Sequence, residues 1–536
     1  MSIDPEIKAK AISQSDVIEF LSNPDNHANA ESVQRIDTHA AIIFLAGTTA
    51  YKIKRAVIYP FLDFSTLEKR RLVCINEIKV NQKNAPGIYD SAVPITLETD
   101  GSLKIDGYGE IVEWAVRMSR FDENLTLDRV IETGPLSNEL IDALALEMMR
   151  AHARAPLRQA DPWIADLRRY LDQNAQAFDQ HVDLFPPDQA AKLNKSSIAA
   201  FETIKPLLEA RGRAGHVRLC HGDAHLGNIV LINDKPVLFD ALEFDDVIAT
   251  ADVLYDLAFL LMDLWERGHA YEANRIFNRY LVESRCSDHY DGLAALPFFM
   301  MLRAAIRAKV TASRLEFCSE HNRGKLTSRA KSYFAASRAF LSGDVPRLIA
   351  VGGLSGSGKS TVAARIAAVI GRAPGAVVLR SDVMRIHLFS VKEKEPLPLC
   401  AYSVSASQAV YKNIHTVANQ ILKTGQSVIT DAVFARESER IAIEEFCNNS
   451  GVPFIGFWLD APKKVLSARV EERINDASDA NKAVVKKQLT YDLGNISWHK
   501  IDASGPLEQS LEQVQNTSGI QVSTGNAKSA KGKYQF

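Results

Sequence analysis

The sequence predicts a multidomain protein of mixed class, α+β over its first two-thirds and α/β over its last third. Three observations carry that prediction. Residues 353–360 read Gly-Leu-Ser-Gly-Ser-Gly-Lys-Ser between an apolar strand pattern and an apolar helix pattern. Residues 221–228 read His-Gly-Asp-Ala-His-Leu-Gly-Asn, a polar loop between two apolar runs. Around that loop the hydrophobic period changes, from strand-like alternation before residue 120 to helical spacing through residue 341.

A chain of 536 residues is too long for one core. Its 46% hydrophobic and 24% charged content is that of an ordinary globular protein. The 63 basic and 65 acidic residues nearly cancel, so no global field favours nucleic acid or an anionic membrane as partner, although a local basic groove would suffice for nucleic acid. The first residues lack the basic-then-apolar order of a signal peptide. The most apolar stretch, Val253–Leu264, contains Asp256 and Asp263 and is too short to cross a bilayer. Six cysteines (74, 220, 286, 318, 400 and 447) include no C-x-x-C pair, so they read as small buried hydrophobes rather than a metal motif or disulfide framework. The expected compartment is the cytoplasm.

Residues 1–30 read as an N-terminal helical extension. From 31 to about 120, AAIIFLAG, TAYKIKR, SAVPITLE and EIVEWAVRM read as strands, and Ser65–Gln82 as a helix between them. A helical lobe follows over about 121–342, with helical patterns over Ser137–Ala155 and Trp163–Ala210. The strand–loop–strand unit Val217–Phe239 interrupts it. Residues 343–346, Gly-Asp-Val-Pro, break the chain before the α/β domain expected at 346–520. The Gly/Ser/Lys-rich residues 521–536 read as a disordered tail.

Asp223 and Asn228 stand five residues apart, and Asp240 closes the next apolar strand, Pro236–Phe239. Moving a phosphoryl group to a hydroxyl asks for this set. One carboxylate accepts the hydroxyl proton, and a carboxamide with a second carboxylate holds the metal that bridges the ATP phosphates. Turns favour Asp, Asn and Gly for their own reasons. An H-G-D-x-H-x-x-N loop followed by a strand-end Asp outweighs that alternative.

On His221, Gly222, Asp223, Asn228 and Asp240 the chain resembles the aminoglycoside phosphotransferase family, the small-molecule branch of the protein-kinase-like fold. The resemblance implies a bilobal domain over 31–342, with Asp223 as catalytic base and Asn228 and Asp240 as Mg²⁺ ligands. His225 would position the loop or simply pack, and Asp252 and Asp256 would brace it. Such a fold also implies a strand lysine for the α/β-phosphates. Ala50-Tyr51-Lys52 has the A-x-K form, and Lys54 shares its face and remains a rival. Glu77, ahead of Glu68, is the expected partner of that lysine. Glu113–Met118 occupies the place of an adenine-binding hinge. The stretch before Lys52 is Ala46-Gly-Thr-Thr49 rather than G-x-G-x-x-G, which argues against a conventional protein kinase.

The later loop is a complete phosphate-binding motif, preceded by the strand pattern Arg347–Val351 and followed by the helix pattern Thr361–Ile370. Gly353, Ser355, Gly356, Ser357, Gly358 and Thr361 shape a backbone cradle, Lys359 reaches the β/γ oxygens and Ser360 holds Mg²⁺. Asp382, in S-D-x-x-R with Arg385, suits substrate binding or a base role, against the alternative of capping a helix. Asp431 suits the Mg²⁺ position of a Walker-B strand. Arg469 and Arg473, four apart, would neutralise phosphate charge from a lid, unless they lie on a solvated face with Glu471 and Glu472. This part is similar to small P-loop kinases acting on gluconate, shikimate, nucleotides or polynucleotide ends, including the zeta-toxin-like group. The order of the two domains, with PFLDFSTLEKR and RVEERINDASDAN, resembles the family called bifunctional aminoglycoside phosphotransferase/ATP-binding proteins. That resemblance implies an ATP-dependent kinase with two Mg²⁺-ATP sites, or one active kinase domain beside a regulatory ATP-binding module. Arg303 and Arg307, on one face of LRAAIRAKV, suggest an anionic or neutral substrate rather than a polycation.

Overall fold

The computed structural model describes residues 12–521 apart from 39, 60–61, 244–245, 317, 392–394, 396 and 472–481. Most of the expected N-terminal extension's first dozen residues, nearly all of the tail, and Arg473 lie outside the described residues. The chain packs as two units. One comprises the chain up to Thr133 with Leu219–Thr250, the other Gly134–Arg218 with the chain from Ala251 onward.

In the first unit a capping box between Ser13 and Asp16 starts the helix Gln14–Ser22, which buries Val17 and Leu21. A six-stranded antiparallel sheet follows, in the spatial order Val33–Asp37, Ala41–Ala46, Thr49–Lys54, Glu110–Ser119, Tyr89–Leu97 and Leu103–Ile105. One face is apolar, with Ile42, Phe44, Ile53, Val93, Ile95 and Ala115 packed together. Alternation along Thr49–Lys54 puts Lys52 and Lys54 on the other face. That face meets the helix Leu67–Asn81, begun by Thr66 accepting from the Lys69 N–H.

The helix is where its sequence pattern placed it, but its buried side is Arg70, Cys74, Glu77 and Asn81. Leu72 and Ile75 are 53% and 41% exposed. The helix turns a polar stripe inward because the lysine face opposite it is charged. The expected hinge at Glu113–Met118 is corrected. Ala115–Met118 pair with Thr49–Lys54 on one side and Tyr89–Leu97 on the other, so their backbone groups are held in the sheet. Glu113 points inward to Arg70 Nε at 2.8 Å. The same unit holds the hairpin Ile229–Ile232 with Lys235–Leu238, turned by Asn233 and Asp234 at φ 51° and 59°.

The second unit opens with helices. The single helical pattern at 163–210 is two, Ala160–Gln180, which ends at His181, and Pro187–Arg213, which Pro186 and Pro187 begin. Val253–Glu266 is buried on every side through Leu264, which is why it reads as continuously apolar. Asp252 accepts from Arg211 at 2.6 and 2.8 Å and caps this helix through the Leu254 N–H. Arg303 is only 8% exposed, with its guanidinium 3.9 Å from the Tyr255 ring centroid and 3.7 Å from Asp256. Arg307 lies over Phe259 and Tyr333. The suggestion that this pair selects an anionic substrate is therefore overturned: the helix face they share is turned into aromatic packing.

The same unit contains a five-stranded parallel sheet in the order Val377–Arg380, Val428–Asp431, Leu348–Gly352, Phe454–Asp460 and His499–Asp502. Ile349, Val351, Ile429 and Phe457 pack with Val362 and Ile366 of the helix Lys359–Ala367. The chain order reverses at the central strand, which places its carboxyl end at a topological switch point. Asn278, on the helix Ala270–Ser284, accepts from the Val378 N–H and donates to the Ala376 carbonyl, covering the sheet edge. Among the described residues no helix is long and apolar enough to cross a membrane.

Candidate active sites

In the first unit the 221–228 loop is closed by its own bonds. Asn228 Nδ2 donates to Asp223 Oδ2 at 2.9 Å and to the Asp223 carbonyl at 3.0 Å. His225 Nδ1 accepts from the Gly227 N–H at 3.0 Å, so its protonated Nε2 faces Asp223 Oδ2, 3.5 Å away. His221 turns the other way, its Nε2 3.0 Å from the Phe239 carbonyl. Gly222 has φ 81°, and a Cβ there would lie 2.7 Å from Leu242 Cδ1. Only glycine lets the loop lie this close to the segment that follows Asp240.

Asp240 itself has φ 59°, uncommon for a residue with a side chain. Neighbours hold it there. The Tyr89 hydroxyl accepts from the Asp240 N–H at 3.0 Å, Asn81 Oδ1 from the Ala241 N–H at 2.8 Å, and the His221 carbonyl from the Leu242 N–H at 3.0 Å. Such over-determined backbone is typical of functional sites. Lys52 Nζ then reaches Asp240 Oδ1 at 2.6 Å and Glu77 Oε1 at 2.7 Å. Lys54 Nζ reaches Glu77 Oε2 at 2.7 Å and also pairs with Glu243.

Burial pushes the Glu77 and Asp240 carboxyls up, but Lys52 and Lys54 outweigh it and hold both below the usual carboxylate range. For Glu243 burial wins and its carboxyl is raised. Burial would lower Lys52, yet Asp240 and Glu77 lift it well above the ordinary lysine range. The Asp240 side chain is hemmed in by protein yet 40% exposed at its outer edge, so one side faces open solvent. Three carboxylates against two ammonium groups leave a net negative charge, and Asp223 adds another. With the Asn228 amide oxygen left over once Nδ2 is bonded, this donor set fits a hard divalent cation such as Mg²⁺.

In the second unit the phosphate loop has the backbone its glycines predict. Gly353, Gly356 and Gly358 have φ 146°, 88° and 85°. A Cβ on Gly356 would lie 2.4 Å from the Leu466 carbonyl oxygen. We expect Gly356→Ala to strain the loop by about 1–3 kcal/mol and to abolish the nucleotide-induced rise in Tm of this domain. Differential scanning calorimetry with and without ATP reads both. Gly358 caps the helix Lys359–Ala367, whose first N–H groups have no helical partner.

Lys359 is buried and Ser360 half-buried, while Thr361 is exposed in the first turn. Ser355 N–H donates to Gln488 Oε1 at 2.8 Å. Ser357 Oγ and Asp431 Oδ1 are buried without a hydrogen-bond partner. Asp431 sits level with Val351 at the strand end that feeds the loop, its Oδ2 3.4 Å from Arg380 Nε. An orphaned carboxylate oxygen in that place, near the Ser360 hydroxyl's turn, fits a hydrated Mg²⁺.

Asp382 lies in the first turn of the helix Ser381–Leu388, but Arg380 is at the cap, so Asp382 is not there to cap it. Arg385 donates to the Ala401 carbonyl and lies over the Tyr402 ring. Arg469 donates to the Ala503 and Gly505 carbonyls at 2.7 and 2.8 Å, and its Nη1 would be 3.9 Å from a Cβ on Gly358. It is beside the loop but anchored. Glu68 pairs with Arg71 at the surface, which removes it as the lysines' partner. Glu243, Asn76, Asn81 and Tyr89 were not anticipated. Asn76 and Asn81 fasten the helix to the Glu243 and Ala241 main chain. Asn81 lies four residues beyond Glu77 on one helix face, and that spacing was the available signal.

Residues 91–296 match the model of the phosphotransferase enzyme family. Residues 348–491 match that of the AAA domain. The chain joins a phosphotransferase-family domain to an AAA-family kinase domain. It is an enzyme of the kinase class. An uncharacterized protein of Mycobacterium tuberculosis and one of Mycobacterium bovis are each 28% identical to it over 493 residues, covering 89% of this chain and 94% of theirs. Among solved structures, the GDP complex of aminoglycoside 2'-phosphotransferase-IIIa is similar at 12% identity and TM-score 0.37, over 60% of this chain and 97% of that one. A choline/ethanolamine kinase family protein from Mesorhizobium loti is similar at 11% identity and TM-score 0.35, over 61% and 98%. A gluconokinase from Sinorhizobium meliloti is similar at 20% identity and TM-score 0.24, over 33% of this chain and 95% of that one.

Proposed function

We propose that the chain transfers the γ-phosphate of ATP at two sites, and that the phosphotransferase domain delivers it to a hydroxyl of a small molecule. One observation carries this reading: Lys52, Glu77 and Asp240 are joined in a single network in the same unit as the bonded pair Asp223 and Asn228. Asp223 accepts the proton of the attacking hydroxyl, and His225 and Asn228 keep its carboxylate oriented. Lys52 exchanges its bond to Asp240 for the nucleotide phosphates while Glu77 continues to hold it. Asn228 and Asp240 would hold Mg²⁺, which supplies charge neutralisation on the transferring group. Catalysis is then chiefly positioning and electrostatics.

At the AAA domain the loop N–H groups and Lys359 bind the triphosphate, Ser360 and Asp431 would hold Mg²⁺, and Asp382 faces the acceptor. A metabolite library screened for ATP consumption tests both halves, using wild type, Asp223→Asn and Lys359→Ala. Each variant is expected to lose a different subset of acceptors. If Asp223→Asn keeps every acceptor that wild type phosphorylates, the first site is not a kinase site. If Lys359→Ala keeps them all, the AAA domain is a nucleotide-binding regulator instead.

A further inference from the structure

The second unit gathers a set of nitrogen and sulfur donors that neither phosphate site uses. Arg285, at φ 47°, ends the helix Ala270–Ser284 in a left-handed turn and brings Cys286, Asp288 and His289 round to His216. A ring nitrogen of His216, a ring nitrogen of His289 and Cys286 Sγ all lie within 4.8 Å of one another. His216 Nε2 is also 3.2 Å from Asp288 Oδ2. His289 is 4% exposed, and its Nδ1 is buried with no hydrogen-bond partner. An orphaned imidazole nitrogen in the interior is costly unless something occupies it.

We propose that His216, Cys286 and His289 form a binding site for a borderline-soft divalent metal of the zinc class, with Asp288 as fourth ligand or as the group that orients His216. Donors around tetrahedral zinc stand roughly 3.5 Å apart, so a small contraction of this cluster closes the site. One thiolate and two imidazoles select zinc over Mg²⁺, which prefers oxygen. The charges also balance. Thiolate and Asp288 carboxylate offset the metal, and the nearby Arg211, which donates to the Asp288 carbonyl at 2.9 Å, is already matched by Asp252. Binding sends the Cys286 thiol proton to water, and partly exposed Cys286 and Asp288 leave an entry path. The set is no C-x-x-C motif, because its second donor is His289 and its third, His216, is 70 residues upstream of Cys286 (286 − 216).

The test titrates metal-free full-length protein with Co²⁺ in excess Mg²⁺, which keeps the oxygen-rich sites filled. One equivalent should give a thiolate-to-cobalt charge-transfer band that Zn²⁺ displaces. The band should vanish in Cys286→Ser and His216→Ala and persist in Cys220→Ser and Cys400→Ser. Absence of the band in wild type, or its survival in Cys286→Ser, overturns the proposal. Should Cys286→Ser fold poorly, alkylation of wild-type Cys286 mapped by mass spectrometry decides: at least a tenfold slowing by Zn²⁺ supports the site, and an unchanged rate refutes it.

Discussion

Asp223→Asn is expected to lower turnover at the phosphotransferase site by about 10²–10⁴-fold while leaving nucleotide affinity nearly unchanged. The substitution is almost isosteric. An asparagine Oδ1 can still accept from Asn228 Nδ2, the bond that is 2.9 Å long in the native loop, so the loop keeps its shape. What disappears is a group basic enough to take a proton from an alcohol. Lys52, Glu77 and Asp240 are untouched, so the phosphates keep their binding partners. Steady-state kinetics with a Lys359→Ala background isolates this site, and calorimetric titration of a non-hydrolysable nucleotide gives affinity separately. A variant that loses nucleotide affinity and keeps its turnover would assign Asp223 to metal or phosphate binding instead.

The backbone of both candidate loops was legible because its constraints are local. Glycines at positive φ, a lysine one residue into a helix and an Asp/Asn pair five apart are constraints on contiguous backbone, and contiguous sequence displays them. The strands Ala41–Ala46 and Thr49–Lys54 followed from alternation for the same reason. What escaped is whatever depends on which neighbour an element meets. Helix Leu67–Asn81 was placed correctly and Glu77 was expected opposite the lysine, but nothing in the helix's own pattern says that Arg70 faces inward with it, because that depends on which strand the helix meets. Arg303 and Arg307 share a face as spacing requires, but only Tyr255, Phe259 and Tyr333 decide that it is an interior face. Glu243 has no motif of its own, and it acquires a role only because Lys54 ends opposite it.

That role makes Lys54→Met the most damaging substitution expected outside the loops. Lys54 is buried and serves two buried carboxylates, Glu77 and Glu243. Glu77 retains Lys52, but Glu243 is left as an uncompensated interior charge, a loss of about 3–5 kcal/mol. Amide exchange read by mass spectrometry should show protection over Thr49–Lys54 and Leu67–Asn81 fall by roughly 10²–10³-fold. Exchange unchanged from wild type would mean that water, not Lys54, solvates Glu243. Adding Glu243→Leu should recover much of the loss, since a hydrophobic pair often replaces a buried ion pair without penalty. The pH dependence has a definite sign. In the native protein Glu77 and Asp240 lie below their ordinary values of 4.5 and 3.8, so their stabilisation is complete above that range and is lost as pH falls through the lowered values. Glu243 already lies above 4.5, and removing Lys54 raises it further. A carboxyl raised on folding costs stability that grows as pH rises from its unfolded value, is complete above its folded value, and vanishes below the unfolded value. The deficit of Lys54→Met is therefore largest near neutrality and shrinks as the pH is lowered toward 5, whereas a lysine that contributed only packing would leave a deficit independent of pH.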